Sequence, residues 1–142
     1  MTAATAAHPA PARHTVRLAT LWFGLFGAPA AWSIQLMANY ALVAHGCFPS
    51  TEPRSTPLFG GLWTVALVVS LAALVVAVAA LLVARRSWLA TREEHHGGRE
   101  ALLEVGEGRT RFMAHAGMLV SALFVLGVIM ATIPLFILSP CR

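Results

Sequence analysis

Three long apolar runs, separated by polar segments, dominate the chain. They cover residues 18–44, 59–83 and 112–138, and they contain no Asp, Glu, Lys or Arg, so that His115 is the only basic side chain in them. About 20 apolar residues cross a hydrocarbon core of about 30 Å, so each run is long enough to span a membrane. Lipid gives backbone groups no hydrogen-bond partner, which makes helix the predicted conformation of every run. The pattern predicts an all-α bundle of three transmembrane helices.

The polar segments complete the predicted domain organisation. Residues 1–16 are rich in Ala, Thr, Pro and His and have no apolar periodicity, so they are predicted to be a disordered tail. Residues 17–142 are predicted to form one membrane domain, with a loop over 84–111. The first apolar run exceeds the 7–15 residues or so of a signal-peptide core, so we expect it to stay as a span.

The distribution of arginine predicts the orientation. The chain has ten arginines and no lysine. Two arginines precede the first run and six lie between the second and third, whereas only Arg54 and Arg142 fall at the opposite ends. An excess of eight to two marks the cytoplasmic side by the positive-inside rule. The amino terminus is therefore predicted to be cytoplasmic and the carboxyl terminus periplasmic, in a multi-pass protein of a bacterial inner membrane.

Composition narrows the function classes. Only 11% of the residues are charged and 58% are hydrophobic, whereas a soluble domain carries about 25% charged residues. The arginines flank apolar runs and form no single basic face, which argues for a lipid bilayer and against nucleic acid as a partner. The chain contains no aspartate, its six glutamates lie outside the runs, and no phosphate-binding loop or nucleophile elbow occurs. We therefore expect a non-enzymatic protein without a cofactor.

The two cysteines are predicted to meet outside the membrane. Cys47 follows the first run and Cys141 follows the third, so the predicted topology places both on the outer face. An oxidising compartment favours a disulfide, provided that the Cα atoms come within about 7 Å. Two free thiols are one alternative. A metal site formed by both cysteines and His45 is another, because three N and S ligands suit copper or zinc.

Small and amide side chains predict how the helices pack. Small residues allow close helix approach, and amides hydrogen-bond across helices in lipid. One face of the first helix and one of the third carry such residues: Gly24, Ala28, Ala31, Trp32, Gln35 and Asn39, then Gly117 and Ser121. Asn39 and Thr132 lie at similar distances from their cysteines, which predicts a contact between them. Pro134 removes one backbone hydrogen bond and predicts a kink near Met130.

His115 is the ionisable residue of the spans. Residues of this kind in a membrane are functional candidates by default. However, His115 follows Arg111 by one helical turn, about 6 Å along the axis, which places it near the inner headgroups. The sequence therefore favours an interfacial role for His115 over a proton relay.

Residues of the first and third predicted helices resemble those of a group of known membrane proteins. The chain resembles small three-helix bacterial membrane proteins associated with haem–copper (cytochrome c) oxidase gene neighbourhoods. The likeness rests on Gly27-Ala28-Pro29-Ala30-Ala31-Trp32 with Gln35, Tyr40 and Cys47, and on Phe112, Gly117, Ser121-Ala122-Leu123-Phe124 and Pro140-Cys141. It covers little of the second helix or the loops. It implies an accessory or assembly role in a respiratory complex and transfers no catalytic residue.

Three functions remain open from the sequence. The first is an accessory, assembly or structural partner of a larger membrane complex, which the small-residue faces favour. The second is a thiol- or metal-handling protein of the periplasmic face that uses Cys47, Cys141 and His45. The third is a homo-oligomeric channel or transporter.

Overall fold

Three long helices form the fold. The computed structural model describes residues 17–48, 55–91, 107–138 and 141. Helices α1 (Leu18–Cys47), α2 (Leu62–Thr91) and α3 (Glu107–Thr132) are followed by the single turn α4 (Pro134–Ile137). All three long helices are long and apolar enough to cross a membrane. The all-α, three-span prediction is confirmed, while the predicted tail over 1–16 lies outside the described residues.

The helix bounds differ from the apolar runs. Helix α1 continues to Cys47, α2 continues to Thr91, and α3 begins at Glu107. The predicted loop over 84–111 is therefore too long at both ends. The predicted spans stopped at the first charged residues. A helix can continue past them, because arginine is a good helix former and its long side chain lets its charge reach the headgroups. At its start α2 is shorter than its run, because Gly60 and Gly61 form a turn before Leu62.

Close contacts define the directions of the helices. Gly24 of α1 lies against Ala84 of α2, and at the other end Gly46 lies against Leu62. These pairs run in opposite senses along the two chains, so α1 and α2 are antiparallel. Gly24 also lies against Gly117 of α3, and Cys47 is bonded to Cys141 beyond the end of α3. Helices α1 and α3 are therefore parallel, and α2 runs antiparallel to both, as expected for three consecutive spans.

Small side chains lie inside the bundle and large apolar side chains lie on its surface, as is typical of a membrane protein. The buried hydrophobic residues include nine that are alanine or cysteine and only three larger ones, Leu21, Leu62 and Val128. The outer surface carries the large side chains, among them Met37 at 73% exposure and Val75 at 69%. Water would reverse this arrangement, because it drives large apolar side chains inward. In lipid the interior is built from small residues that bring backbones close together.

Helix α2 presents a regular small-residue seam to its neighbours. The seam consists of residues spaced alternately by four and three positions, all of them buried: Ala66, Ser70, Ala73, Ala77, Ala80, Ala84 and Ser87. A repeat of 3.5 residues keeps one face of a helix against its partners along a left-handed supercoil. The core cluster joins this seam to Ala28 and Ala31 of α1 and Val128 of α3.

Candidate functional site

The three long helices are in close contact around Gly24. A Cβ atom added to Gly24 would lie 3.1 Å from the Cβ of Ala84, and one added to Gly117 would lie 3.2 Å from the Gly24 carbonyl oxygen. The hydroxyl of Ser121, which is fully buried, donates to the same carbonyl at 2.7 Å. Gly24, Gly117 and Ser121 thus form one contact, where glycine admits the neighbouring helix and serine adds a polar bond.

Trp32 packs in the interface between α1 and α3. Its ring meets Phe124 edge to face, with centroids 5.3 Å apart. A Cβ atom added to Gly127 would lie 3.3 Å from the indole Nε1. The tryptophan therefore fills the space that Gly127 leaves open. Ala28 and Ala31, one helical turn before Trp32 and adjacent to it, are buried in the core.

Gln35 joins α1 to α3 in the interior. Its side chain is fully buried, and Nε2 donates to Oγ1 of Thr132 at 3.1 Å and more weakly to the carbonyl oxygen of Val128 at 3.5 Å. The Thr132 hydroxyl donates its own proton to the Val128 carbonyl at 2.7 Å, so both groups that face Gln35 can act only as acceptors towards it. This fixes the amide orientation. The oxygen Oε1 is buried and has no hydrogen-bond partner among the described residues.

Asn39 joins α1 to α2 in the same way. Its Nδ2 donates to Oγ of Ser70 at 3.2 Å, and the Ser70 hydroxyl donates to the carbonyl of Ala66 at 2.9 Å. The predicted pairing of Asn39 with Thr132 is wrong, since each bonds to another helix partner. Thr132 bonds to Gln35, one helical turn before Asn39, and the rotation of α1 turns Asn39 towards Ser70 of α2. Oδ1 of Asn39 is likewise buried without a partner.

Pro134 interrupts the third span later than predicted. Helix α3 ends at Thr132, Ile133 is a turn residue, and α4 begins at Pro134, so the break lies beyond Met130. The amide of Ile133 still donates to the carbonyl of Ile129, which keeps the helix intact past Met130. Trp63 of α2 donates from Nε1 to the carbonyl of Leu135 at 2.8 Å. This hydrogen bond links α2 to the single turn α4.

The disulfide predicted between Cys47 and Cys141 is confirmed. The Cα atoms are 5.3 Å apart, and the bond joins residues separated by 94 positions. Cys47 is fully buried, and the amide of Leu58 donates to the carbonyl of Gly46 beside it. Because the two sulfurs are bonded to each other, they are not the thiolate ligands that a metal site with the exposed His45 requires. Among the described residues, no group of three or more His, Cys, Asp or Glu is placed to hold a metal ion.

His115 lies at the arginine-rich end of the bundle. It is exposed, its ring centroid is 6.2 Å from that of Trp88, and it borders a shallow pocket with Arg111 and Phe112. Tryptophan and arginine are typical of the membrane–water interface. These neighbours fit the interfacial role that the sequence favours for His115.

A lateral groove separates the outer faces of α1 and α2. Its volume is about 570 Å³, and its lining is apolar apart from Gln35. Its lining includes the small residues Gly27, Ala30 and Ala72. Large side chains border it, and the rings of Trp22 and Phe26 stack at 5.2 Å at one end. We name this depression, lined by α1 residues from Trp22 to Gln35 and α2 residues from Val69 to Val76, the α1–α2 groove.

Two kinds of packing residue were not predicted from the sequence. No role was predicted for Ser70 and the alanines of α2, and the predicted partner of Thr132 was Asn39 and not Gln35. The 3.5-residue repeat of small side chains in α2 is visible in the sequence and signals this seam. The hydroxyl partners of Gln35 and Asn39 have no such signal, because hydroxyl groups are common in membrane helices and pair according to helix rotation.

Comparison with protein-family models, with curated proteins and with solved structures gives no match.

Proposed function

We propose that this protein is a non-enzymatic subunit that supports the assembly or structure of a larger complex in the bacterial inner membrane. The observation that carries the proposal is the rigid bundle with an open α1–α2 groove. A disulfide and polar bonds between the helices hold the bundle together, while the apolar groove between α1 and α2 stays open. Such a bundle offers a surface for association with another membrane protein.

The interior chemistry supports a structural role. The hydroxyl of Ser121 and the amides of Gln35 and Asn39 each bond to a different helix. Polar bonds of this kind hold membrane helices in one arrangement. The polar groups inside the membrane therefore hold the three helices together. The resemblance to proteins near haem–copper oxidase genes suggests a respiratory complex as the partner.

The orientation of the three helices across the membrane is part of the same proposal. The arginine distribution supports a cytoplasmic location for the amino terminus and for the segment between α2 and α3. The joined Cys47 and Cys141 then lie on the periplasmic side, where a disulfide persists.

Purification of the tagged full-length chain from its source membranes in mild detergent tests the proposal. We expect a larger membrane protein to co-purify at a fixed ratio, and a reduced-minus-oxidised spectrum to show haem if that partner is a respiratory complex. An unrelated three-span protein with the same tag is the control. Recovery of this chain alone would refute the accessory role, and a partner without haem would refute only its respiratory assignment.

A further inference from the structure

We propose that a pocket between α2 and α3, at the arginine-rich end of the bundle, binds the phosphate group of an anionic phospholipid. The pocket has a volume of about 360 Å³ and is lined by Trp88, Arg111, Phe112 and His115. We name it the interfacial pocket. Its volume lies in the range of small-molecule sites. A lipid site of this kind goes beyond the accessory role proposed above and is independent of it.

Two side chains of α3 supply the groups that bind an anion. Arg111 and His115 are four residues apart, so they project from the same face of the helix. A guanidinium group keeps its positive charge and donates two parallel hydrogen bonds to a phosphate. An imidazole ring adds an N–H donor in either of its charge states. Both residues line the same space, so a single phosphate can accept from both.

Aromatic rings form the other walls of the interfacial pocket. The ring centroid of Trp88, on α2, lies 6.2 Å from that of His115. Phe112 is 72% exposed, so an apolar surface adjoins the cationic group of Arg111. Cationic and apolar walls together suit a phosphate that is esterified to an acylated glycerol, because the ligand then presents both kinds of surface.

The interfacial pocket lies at the depth of lipid headgroups. His115 and Arg111 precede Gly117, which contacts Gly24 of α1, by about 3 and 9 Å along the helix axis. From Gly24 to Cys47, at the other end of α1, the distance is about 35 Å. The pocket is therefore about 38–44 Å from the level of Cys47. A bilayer with its headgroups is about 40–45 Å thick, which places lipid phosphates beside the pocket.

Charge favours an anionic lipid over a zwitterionic one. Arg85 and Arg86 of α2 are exposed at the same end of the bundle as Arg111. The described residues that line the interfacial pocket include no carboxylate. A zwitterionic lipid would bring its own ammonium group close to these cations, whereas phosphatidylglycerol carries no cation. Basic pockets between membrane helices bind anionic headgroups for this reason.

Native mass spectrometry of the purified full-length chain in detergent tests the inference. The chain is titrated with phosphatidylglycerol and, in parallel, with phosphatidylcholine that has the same acyl chains. We expect one molecule of phosphatidylglycerol to bind roughly five-fold or more tightly than phosphatidylcholine. Glycerophosphoglycerol, which is the same headgroup without acyl chains, serves as the soluble competitor and should not displace the lipid at equal concentration.

Variants with matched loss of charge make the test specific. Arg111→Gln should lower the affinity for phosphatidylglycerol roughly five- to ten-fold, and Arg111→Lys should lower it less, since it keeps the charge without the planar fork. Arg86→Gln is the control, because Arg86 is exposed at the same end and does not line the pocket. Solvent screens so distant a charge, so the control should lose less than about two-fold. His115→Phe keeps a ring and removes the N–H donor, so it should also weaken binding.

Three results would overturn the inference. They are equal affinities for the two lipids, equal losses for Arg111→Gln and Arg86→Gln, and displacement of the lipid by glycerophosphoglycerol, which would assign the pocket to a soluble phosphate ester. Circular dichroism checks that each variant is folded. If Arg111→Gln does not fold, the comparison of His115→Phe with Arg86→Gln decides. A failure to find a partner protein would refute the accessory role and leave the lipid site unaffected.

Discussion

Loss of the Cys47–Cys141 bond is expected to lower the free energy of unfolding by about 2–4 kcal/mol. The bond closes a loop with a sequence separation of 94 and joins the carboxyl end of α1 to the chain beyond α4. A cross-link over so long a loop strongly restricts the unfolded chain. Titration with a denaturing detergent, with and without reductant, should show a large shift of the unfolding midpoint to lower concentration after reduction.

A double variant provides the control for this experiment. The protein with both Cys47→Ser and Cys141→Ser should unfold at the midpoint of the reduced wild type, and reductant should not shift it further. Equal midpoints for the oxidised and reduced wild type would contradict a stabilising role for the bond.

Enlargement of Gly24 is expected to destabilise the bundle by about 3 kcal/mol or more for Gly24→Leu, because both neighbouring helices must move apart. Gly24 lies against Ala84 on one side and against Gly117 and Ser121 on the other. Gly24→Ala should have a smaller effect, since its Cβ would lie 3.1 Å from the Cβ of Ala84 and requires a shift of a few tenths of an ångström.

A surface substitution of similar size controls for added hydrophobic bulk. Ala41 is exposed on the same helix, so Ala41→Leu should change the unfolding free energy by no more than about 0.5 kcal/mol. The measurement is the same detergent titration, followed by circular dichroism. Equal stability of Gly24→Leu and Ala41→Leu would show that Gly24 does not lie at a close three-helix contact.

Length and hydropathy sufficed to predict the three helices, because in lipid an apolar run of this length has essentially one conformation that satisfies its backbone. Hydropathy did not predict where the helices end. Helix α2 runs past Arg85 and Arg86 to Thr91, since charge ends the apolar span without ending the helix. The predicted ends of the first and third spans were accurate enough to predict that Cys47 and Cys141 lie together.

Partner choice in the core was harder to predict. The count of residues inward from Cys47 and Cys141 predicted similar depths for Asn39 and Thr132 but carried no information on helix rotation. In the structure, Gln35 takes Thr132 and Asn39 takes Ser70. A rotation of one helix by the 100° between successive residues redirects every side chain without changing its depth. The repeat of small residues in α2 could have supplied that missing rotation.

Fusion of a two-compartment reporter to the carboxyl end most directly tests whether the three helices span the membrane as proposed. The reporter combines a phosphatase that is active only in the periplasm with a fluorescent protein that matures only in the cytosol. With the reporter after Arg142 we predict phosphatase activity without fluorescence, and with the same reporter after Gly97 the reverse. Fluorescence from the fusion after Arg142 would contradict the threading and the periplasmic location of the disulfide.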